Sequence, residues 1–316
     1  MERVIILGSG CAGYTAGIYT SRANLEPLLL SGIEVHGQLG MTTDVENYPG
    51  FPSGILGPKL MEFMKQQAER FGTRIIYERA IEVNFKRNPF LIRTDEKEYE
   101  AKTVIICTGA SPRKLQIPGE LEFSGATGGA GVTYCATCDG AFYKNVEVIV
   151  VGGGDTAMEE ALFLTRYASR VYVVHRRDTL RASKIMQDRA VKHPKIEFIW
   201  NSVLTKIHGN DQKTVTGITM KNLETKEESE RPIAGVFIAI GHVPNTQIFQ
   251  GQLDLDENGY VITNRRQQTN IEGIYAAGDA QDHIYRQAVT AAGTGCAAAI
   301  EAERYLAQLE EQLEHS

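Results

Sequence analysis

The chain has no apolar run near the roughly 18 residues that a membrane-spanning helix needs, a single tryptophan, and only five cysteines in 316 residues. Each shortage excludes something. Without such a run, no transmembrane helix is expected. The cysteines stand at 11, 107, 135, 138 and 296, with one close pair, which is not the framework of a disulfide-stapled secreted domain. A zinc site needs four ligands and usually a second paired motif, and the sequence has no second Cys-x-x-Cys and no His-x-x-x-His, so no metal is expected. Positive excess is missing too: 33 Lys and Arg stand against 39 Asp and Glu, a net charge of −6 that argues against a nucleic-acid partner. The start, Met1-Glu2-Arg3-Val4-Ile5-Ile6-Leu7, lacks the charge pattern and cleavage site of a signal peptide and reads as a first strand, which makes the cytoplasm the expected address.

What is present is an ordinary globular composition, 42 % hydrophobic and 23 % charged, at a length that suits two domains. The most informative stretch is Cys135-Ala136-Thr137-Cys138-Asp139. Two thiols with two residues between them store two electrons as a disulfide and release them as a dithiol. Thiolate is the reactive form, so a proton must be managed beside the pair. Asp139 is adjacent and is the acid/base candidate; the alternative is an Asx turn before Gly140, and the two roles are compatible.

Two glycine turns follow strands and open helices. In the first, Val4–Leu7 leads into Gly8-Ser9-Gly10-Cys11-Ala12-Gly13, a helix to about Arg22 and a strand over Pro27–Leu30. That order aims backbone N–H groups and a helix start at a pyrophosphate. The second strand ends Leu30-Ser31-Gly32 without the acid that holds a ribose, and Glu34 is off register, so that contact stays unassigned. In the second, Val146–Val151 leads into Gly152-Gly153-Gly154-Asp155-Thr156-Ala157, with a helix over Thr156–Tyr167 and a strand over Val171–Val174. That strand ends in His175-Arg176-Arg177-Asp178-Thr179-Leu180-Arg181, basic where an NAD site carries an acid. Arg176, Arg177 and Arg181 therefore point to a 2′-phosphate and to NADP. The alternative, a solvated basic helix start, suits Lys184, Arg189 and Lys192. A third signal is Gly273-Ile274-Tyr275-Ala276-Ala277-Gly278-Asp279-Ala280, followed by Tyr285-Arg286-Gln287-Ala288 and a small-residue helix over Ala291–Ala299. Two dinucleotide sites imply one bound flavin and one diffusing nicotinamide.

Together these motifs resemble the low-molecular-weight, bacterial-type thioredoxin reductases among the flavin-dependent pyridine nucleotide-disulfide oxidoreductases. The resemblance covers nearly the whole chain. It also runs through Gly37-Gln38-Leu39, Glu46-Asn47-Tyr48-Pro49-Gly50, Cys107-Thr108-Gly109-Ala110 and Gly241-His242-Val243-Pro244-Asn245-Thr246. It implies an α/β fold of two Rossmann-like, three-layer nucleotide-binding domains. The FAD domain is discontinuous, 1–115 and 246–316, and the NADPH domain, 116–245, is inserted and carries the cysteines. FAD contacts would come from Gly8, Gly10, Cys11, Ala12, Gly13, Gln38, Leu39, Asn47, Thr108, Gly109, Gly278, Asp279, Arg286, Gln287 and Ala288. NADPH contacts would come from Gly152, Gly154, Asp155, Thr156, Ala157, His175, Arg176, Arg177 and Arg181. Cys138 would face the flavin and Cys135 would attack the disulfide of thioredoxin, and the enzyme would be a homodimer. Dithiol and nicotinamide compete for one flavin, which calls for a turning domain with hinges near 114–118 and 242–247.

Cys11 stands where the family has proline and reads as a packing residue; Cys107 and Cys296 read as buried small residues. The glycine-rich lead-in Ser124–Gly131 reads as a flexible surface insertion or a sign of a different partner, since Ala130 stands where a basic residue is common. Rival readings are a glutaredoxin-like or peroxidase-linked acceptor, a flavin-dependent dithiol oxidase, a ferredoxin–NADP reductase-like flavoprotein, and a redox-sensing regulatory module. Apolar spacing predicts helices over Lys59–Phe71 and Ile300–Leu313, and Gly50–Pro58 reads as irregular structure near the flavin. Met41, Met61 and Met64 read as core or dimer contacts. His242 and His283 read as structural or flavin-contacting, and His36, His193, His208 and His315 as solvated.

Overall fold

The structure, a computed structural model, describes residues 1–32, 36–42, 44–127 and 129–314. Glu34, Gly128 and His315, named above, lie outside them. The chain forms two compact units, Met1–Ser111 with Val243–Ser316, and Pro112–His242. Among the described residues no helix is long and apolar enough to cross a membrane.

The first unit is built on β1 (Glu2–Leu7), α1 (Cys11–Arg22), β2 (Leu28–Leu30), α2 (Gly57–Arg70) and β3 (Arg74–Ile76). A hairpin of β4 (Ala80–Asn84) and β5 (Phe90–Thr94) leads to β6 (Glu98–Ile106). The sheet runs β3-β2-β1-β6-β5-β4, parallel from β3 to β6 and antiparallel through the hairpin. Strand period decides the two cores. Val4 and Ile6 face one way, onto a cluster with Tyr14, Met61 and Leu306, and Ile5 and Leu7 face the other, onto Phe85, Phe90 and Phe249. Each such fully buried large side chain contributes about 1.5–3 kcal/mol.

The second unit repeats the scheme. Its elements are β7 (Val132–Thr133), α3 (Ala136–Asp139), β8 (Glu147–Val151), α4 (Asp155–Leu164), β9 (Arg170–Val174), α5 (Lys184–Val191) and β10 (Ile196–Ile199). Three antiparallel strands, β11 (Ser202–Gly209), β12 (Val215–Asn222) and β13 (Glu228–Pro232), precede β14 (Gly235–Ile238). The parallel sheet runs β7-β14-β8-β9-β10. Ile149 and Val151 pack toward β11 and β12, and Val148 and Val150 toward α4. The first unit is thus helices on one mixed sheet, and the second is helices on a parallel sheet on an antiparallel β layer.

The chain then completes the first unit with β15 (Ile274–Ala276), parallel to β6, and α6 (Ala288–Glu314). α6 is one continuous helix that contains both the small-residue stretch, 291–299, and the apolar stretch, 300–313. Its Gly293 and Gly295 interrupt the apolar period without breaking the helix, and Gly295 lies so close to α1 that a Cβ there would meet Ala12 O at 2.3 Å.

Other expectations also change. Gly50–Pro58 is partly regular: Ile55–Leu56 pairs with Asp44–Val45, and Gly57-Pro58 opens α2, where proline at the first turn costs no hydrogen bond. Met61 and Met64 are core, whereas Met41 and Phe63 are exposed, at 38 % and 44 %. The 124–131 lead-in, Gly128 apart, is tied down by hydrogen bonds and close contacts while Ala126, Thr127 and Ala130 stay exposed. Thr127 Oγ1 donates to Leu121 O and Glu122 O, Ala130 N donates to Lys213 O at 2.8 Å, and Gly129 lies against Phe123. His36 is not simply solvated, for its Nδ1 bonds Tyr14 Oη at 3.0 Å, and His208 Nε2 bonds Thr219 Oγ1 at 2.7 Å. Cys296 is half-buried rather than buried.

Candidate functional site

In the first unit, three distant stretches converge on the Gly8–Gly13 turn. Gly8, at φ +107, lies on the backbone of Cys107 and Thr108: a Cβ there would meet Cys107 O at 2.2 Å. Gly13 brings α1 onto β1, its absent Cβ only 1.9 Å from Gly8 O. A Cβ at Gly10, between them, would meet nothing within 4 Å. Tight turn, open middle and close helix–strand packing are the three glycine roles of a pyrophosphate turn. α1 starts without a side-chain cap, so its first N–H groups remain available to an anion.

Gly278, after β15, packs on Ala12 Cβ, and its N–H donates to Thr294 Oγ1 of α6 at 2.9 Å. Burial, then the Asp282 carboxylate, push neighbouring Asp279 up to about 7, with Arg286 pulling the other way. Cys11 is 6 % exposed with Met61 Sδ at 3.7 Å from its sulfur; burial, then Asp279, push its thiol up to about 12, which is the behaviour of a packing residue. Asp282 accepts from Ile284 N and Tyr285 N at 2.9 Å and from Thr290 Oγ1 at 3.3 Å, which shapes the loop bearing Arg286, Gln287 and Ala288. Asn47 Nδ2 reaches Gln287 Oε1 at 3.3 Å, and Gln38 Nε2 donates to Ala110 O. Gly37 sits against Gly10, with a Cβ-to-Cα approach of 3.5 Å, which brings Gln38 and Leu39 beside the turn. Gly109, at φ +70, follows Thr108, whose buried Oγ1 makes no hydrogen bond among the described residues. An open glycine, an unpaired buried hydroxyl and a desolvated carboxylate fit a polar nucleotide such as FAD.

In the second unit the Gly152–Ala157 turn has the same anatomy. A Cβ on Gly152 would meet Ala239 O at 2.4 Å, a Cβ on Gly154 would meet nothing within 4 Å, and Ala157 is fully buried in the third position. Arg176, Arg177 and Arg181 are exposed and form no ion pair among the described residues. That fits the 2′-phosphate of NADPH. His175 is 6 % exposed and lies on Gly153, where a Cβ would meet its ring at 2.2 Å; its Nε2 bonds Thr179 O at 3.1 Å. Asp155 turns to Ser183, and Thr156 is half-buried in the first turn of α4.

The same unit carries the cysteines. Cys135 and Cys138 are joined by a disulfide with Cα atoms 5.3 Å apart, both half-buried at the start of α3. Cys138 N–H donates to Cys135 Sγ at 3.2 Å. Asp139 accepts from Thr133 Oγ1, and the same hydroxyl accepts from Cys135 N at 3.2 Å. Burial pushes the Asp139 carboxyl above its usual range, against the lowering effect of Thr133. The side chain makes no cap hydrogen bond to the 3-10 turn that follows it. Thr133, Ser183, Asp282 and Thr294 carry no motif of their own and were not legible as site residues. Among the described residues, no cluster of His, Cys, Asp and Glu could hold a metal.

A family model described as pyridine nucleotide-disulphide oxidoreductase matches residues 2–295. A thioredoxin reductase of Rickettsia felis is 53% identical over 307 residues, covering 96% of this chain and 98% of the relative. One of Chlamydia pneumoniae is 54% identical over 313 residues, covering 96% and 99%. Among solved structures, a thioredoxin reductase from Giardia duodenalis superposes with a TM-score of 0.90 at 44% identity, covering 96% of this chain and 98% of the other. One from Streptococcus pyogenes gives 0.91 at 41% identity, with coverage of 96% and 98%.

Proposed function

The chain belongs to the pyridine nucleotide-disulphide oxidoreductase family, and from that premise we propose that it is an NADPH-dependent reductase of thioredoxin that carries FAD. The first unit would hold the flavin through Gly8–Gly13, Thr108-Gly109, Gly278-Asp279 and the Arg286–Ala288 loop, with Gln38, Leu39 and Asn47 beside them. The inserted unit would hold NADPH through Gly152–Ala157 and the arginines at 176, 177 and 181. Bound FAD would supply a two-electron relay between nicotinamide and disulfide.

The chain's own part in the chemistry follows from the half-buried Cys135–Cys138 disulfide with Asp139 beside it, the observation that carries this reading. Two electrons and two protons open the S–S bond to a dithiol. The Cys138 amide then supports negative charge on Cys135 Sγ, which makes Cys135 the attacking thiolate. Its attack on an oxidised partner forms one mixed disulfide and expels one partner thiolate. Cys138 Sγ attacks Cys135 Sγ in turn, closes the internal disulfide and expels the second partner thiolate. Asp139, with its raised pKa, keeps a proton at a higher pH than an ordinary carboxyl, and so passes it to and from these sulfurs. A homodimer and a cytoplasmic address complete the proposal.

The test is anaerobic titration with NADPH and then oxidised thioredoxin. The expected result is a yellow protein that bleaches with NADPH and regains colour with thioredoxin. Cys138→Ser should still bleach but lose thioredoxin turnover by at least about a thousandfold, a barrier increase of ~4 kcal/mol. Purification without flavin, and failure to take it up, defeats the reading.

A further inference from the structure

Asp155 is the first residue of α4, where a carboxylate suits the positive end of the helix dipole, and Ser183 directly precedes α5. A serine before a helix normally caps the first N–H groups of that helix. Here Ser183 makes no cap bond; its Oγ donates to Asp155 Oδ1 at 2.7 Å, and its N–H donates to the same oxygen at 2.8 Å. An aspartate in the first turn, for its part, puts a negative charge where a pyrophosphate needs positive potential. Ser183 gives up its capping preference for this one contact.

That contact is the end of a strap. The segment after β9 is tied down first by His175 Nε2 on Thr179 O at 3.1 Å. It is tied next by Arg181 N and Ala182 N on Gly153 O, at 2.7 and 3.1 Å, and last by Ser183 on Asp155. Arg181 is thus bracketed by ties to the glycine turn while its own guanidinium stays exposed. We propose that Asp155 is a positioning residue for cofactor selectivity, holding the Arg176–Arg181 segment over the phosphate turn through Ser183. It rests on the reading that this turn takes NADPH. Asp155 bonds the strap through Ser183; its effect reaches the 2′-phosphate through the arginines, so it discriminates between NADPH and NADH.

Steady-state KM and kcat for both cofactors, on the flavin-loaded enzyme with thioredoxin, test the proposal. Asp155→Ala should raise KM for NADPH about tenfold, or ~1.4 kcal/mol, and change KM for NADH less than about twofold, with kcat nearly constant. Asp155→Asn keeps an oxygen acceptor and removes the charge, and should restore the parent selectivity. Ser183→Ala removes one of two donors and should give a smaller rise, about threefold, again for NADPH alone. A fall of both KM values in Asp155→Ala overturns the proposal, because the carboxylate would then act by repelling the pyrophosphate. An equal rise of both overturns it as well, since the strap would only shape the helix start. So does an Asp155→Asn enzyme that behaves like Asp155→Ala. A parent enzyme with no preference for NADPH refutes the NADPH reading itself, and is seen before any variant is compared. Flavin content and the thermal midpoint identify a variant that has not folded, and the milder Ser183→Ala keeps the question answerable in that case.

Discussion

The two glycine turns differ least where they share a task and most at their rims. In both, a strand ends on a glycine pressed against neighbouring backbone, Cys107 O for Gly8 and Ala239 O for Gly152, and the middle glycine, Gly10 or Gly154, faces open space. Around the first, later segments close in: Gly278 on Ala12, Gly295 on the α1 backbone, and Asp279 desolvated next to Cys11. Around the second, the rim is a strap bearing three exposed arginines that have no carboxylate partner among the described residues. One local device serves two settings. Enclosure suits a group that stays, and an exposed charged rim suits one that arrives by diffusion and leaves.

The largest expected break in this comparison is at the third position of each turn. Gly13→Ala places a Cβ 1.9 Å from Gly8 O, which only a backbone shift relieves. A stability loss of about 3 kcal/mol or more is expected, with flavin lost on purification, read by chemical unfolding and by the absorbance ratio. The second turn already has alanine there, so the same residue type is excluded at one turn and native at the other.

At the rim, Arg176→Ala with Arg177→Ala should raise KM for NADPH about a hundredfold and leave KM for NADH within about twofold, from the loss of two charge-assisted contacts. Steady-state kinetics with each cofactor checks it. An equal effect on both cofactors would mean that the arginines do not read the 2′-phosphate.

Enclosure of the first turn also has a pH signature. The folded pKa of Asp279, about 7, lies above the ordinary 3.8, so between those values the folded chain holds a proton that the unfolded chain has lost. The stabilisation is complete below pH 3.8 and is lost as pH rises through about 7. Flavin-free protein should therefore become less stable from pH 4 to pH 7 relative to Asp279→Asn, by about 5 °C in the thermal midpoint. Parallel curves for the two proteins would remove the desolvation argument. The smallest effect is expected from Ala157→Gly. It should cost about 2 kcal/mol through helix propensity and one lost buried methyl, with little change in KM for NADPH.

Much of the site was legible because its signals are local. Gly8–Gly13 and Gly152–Ala157 announce themselves by glycine spacing after an apolar run, and Cys135–Asp139 by two thiols and a carboxylate. Helix continuity was harder. The glycines of α6 blurred its period, and packing against α1 overrode that signal. The 124–131 segment looked like an insertion because glycine reads as freedom, whereas Gly129 and Gly131 are there for close approach to Phe123 and Val215. Thr133 and Thr294 carry no spacing signal; only folding puts one hydroxyl on Asp139 and the other on the Gly278 amide.

Continuous apolar runs such as Val4–Leu7, the glycines that let backbones meet, and the paired thiols are properties of neighbouring residues, so the amino-acid order alone determined them. The rise of Asp279, the burial of Cys11 and the tie from Asp155 to Ser183 came only with the tertiary structure. Desolvation and hydrogen bonding depend on which distant segments exclude water from a group, and no short window of sequence contains those segments.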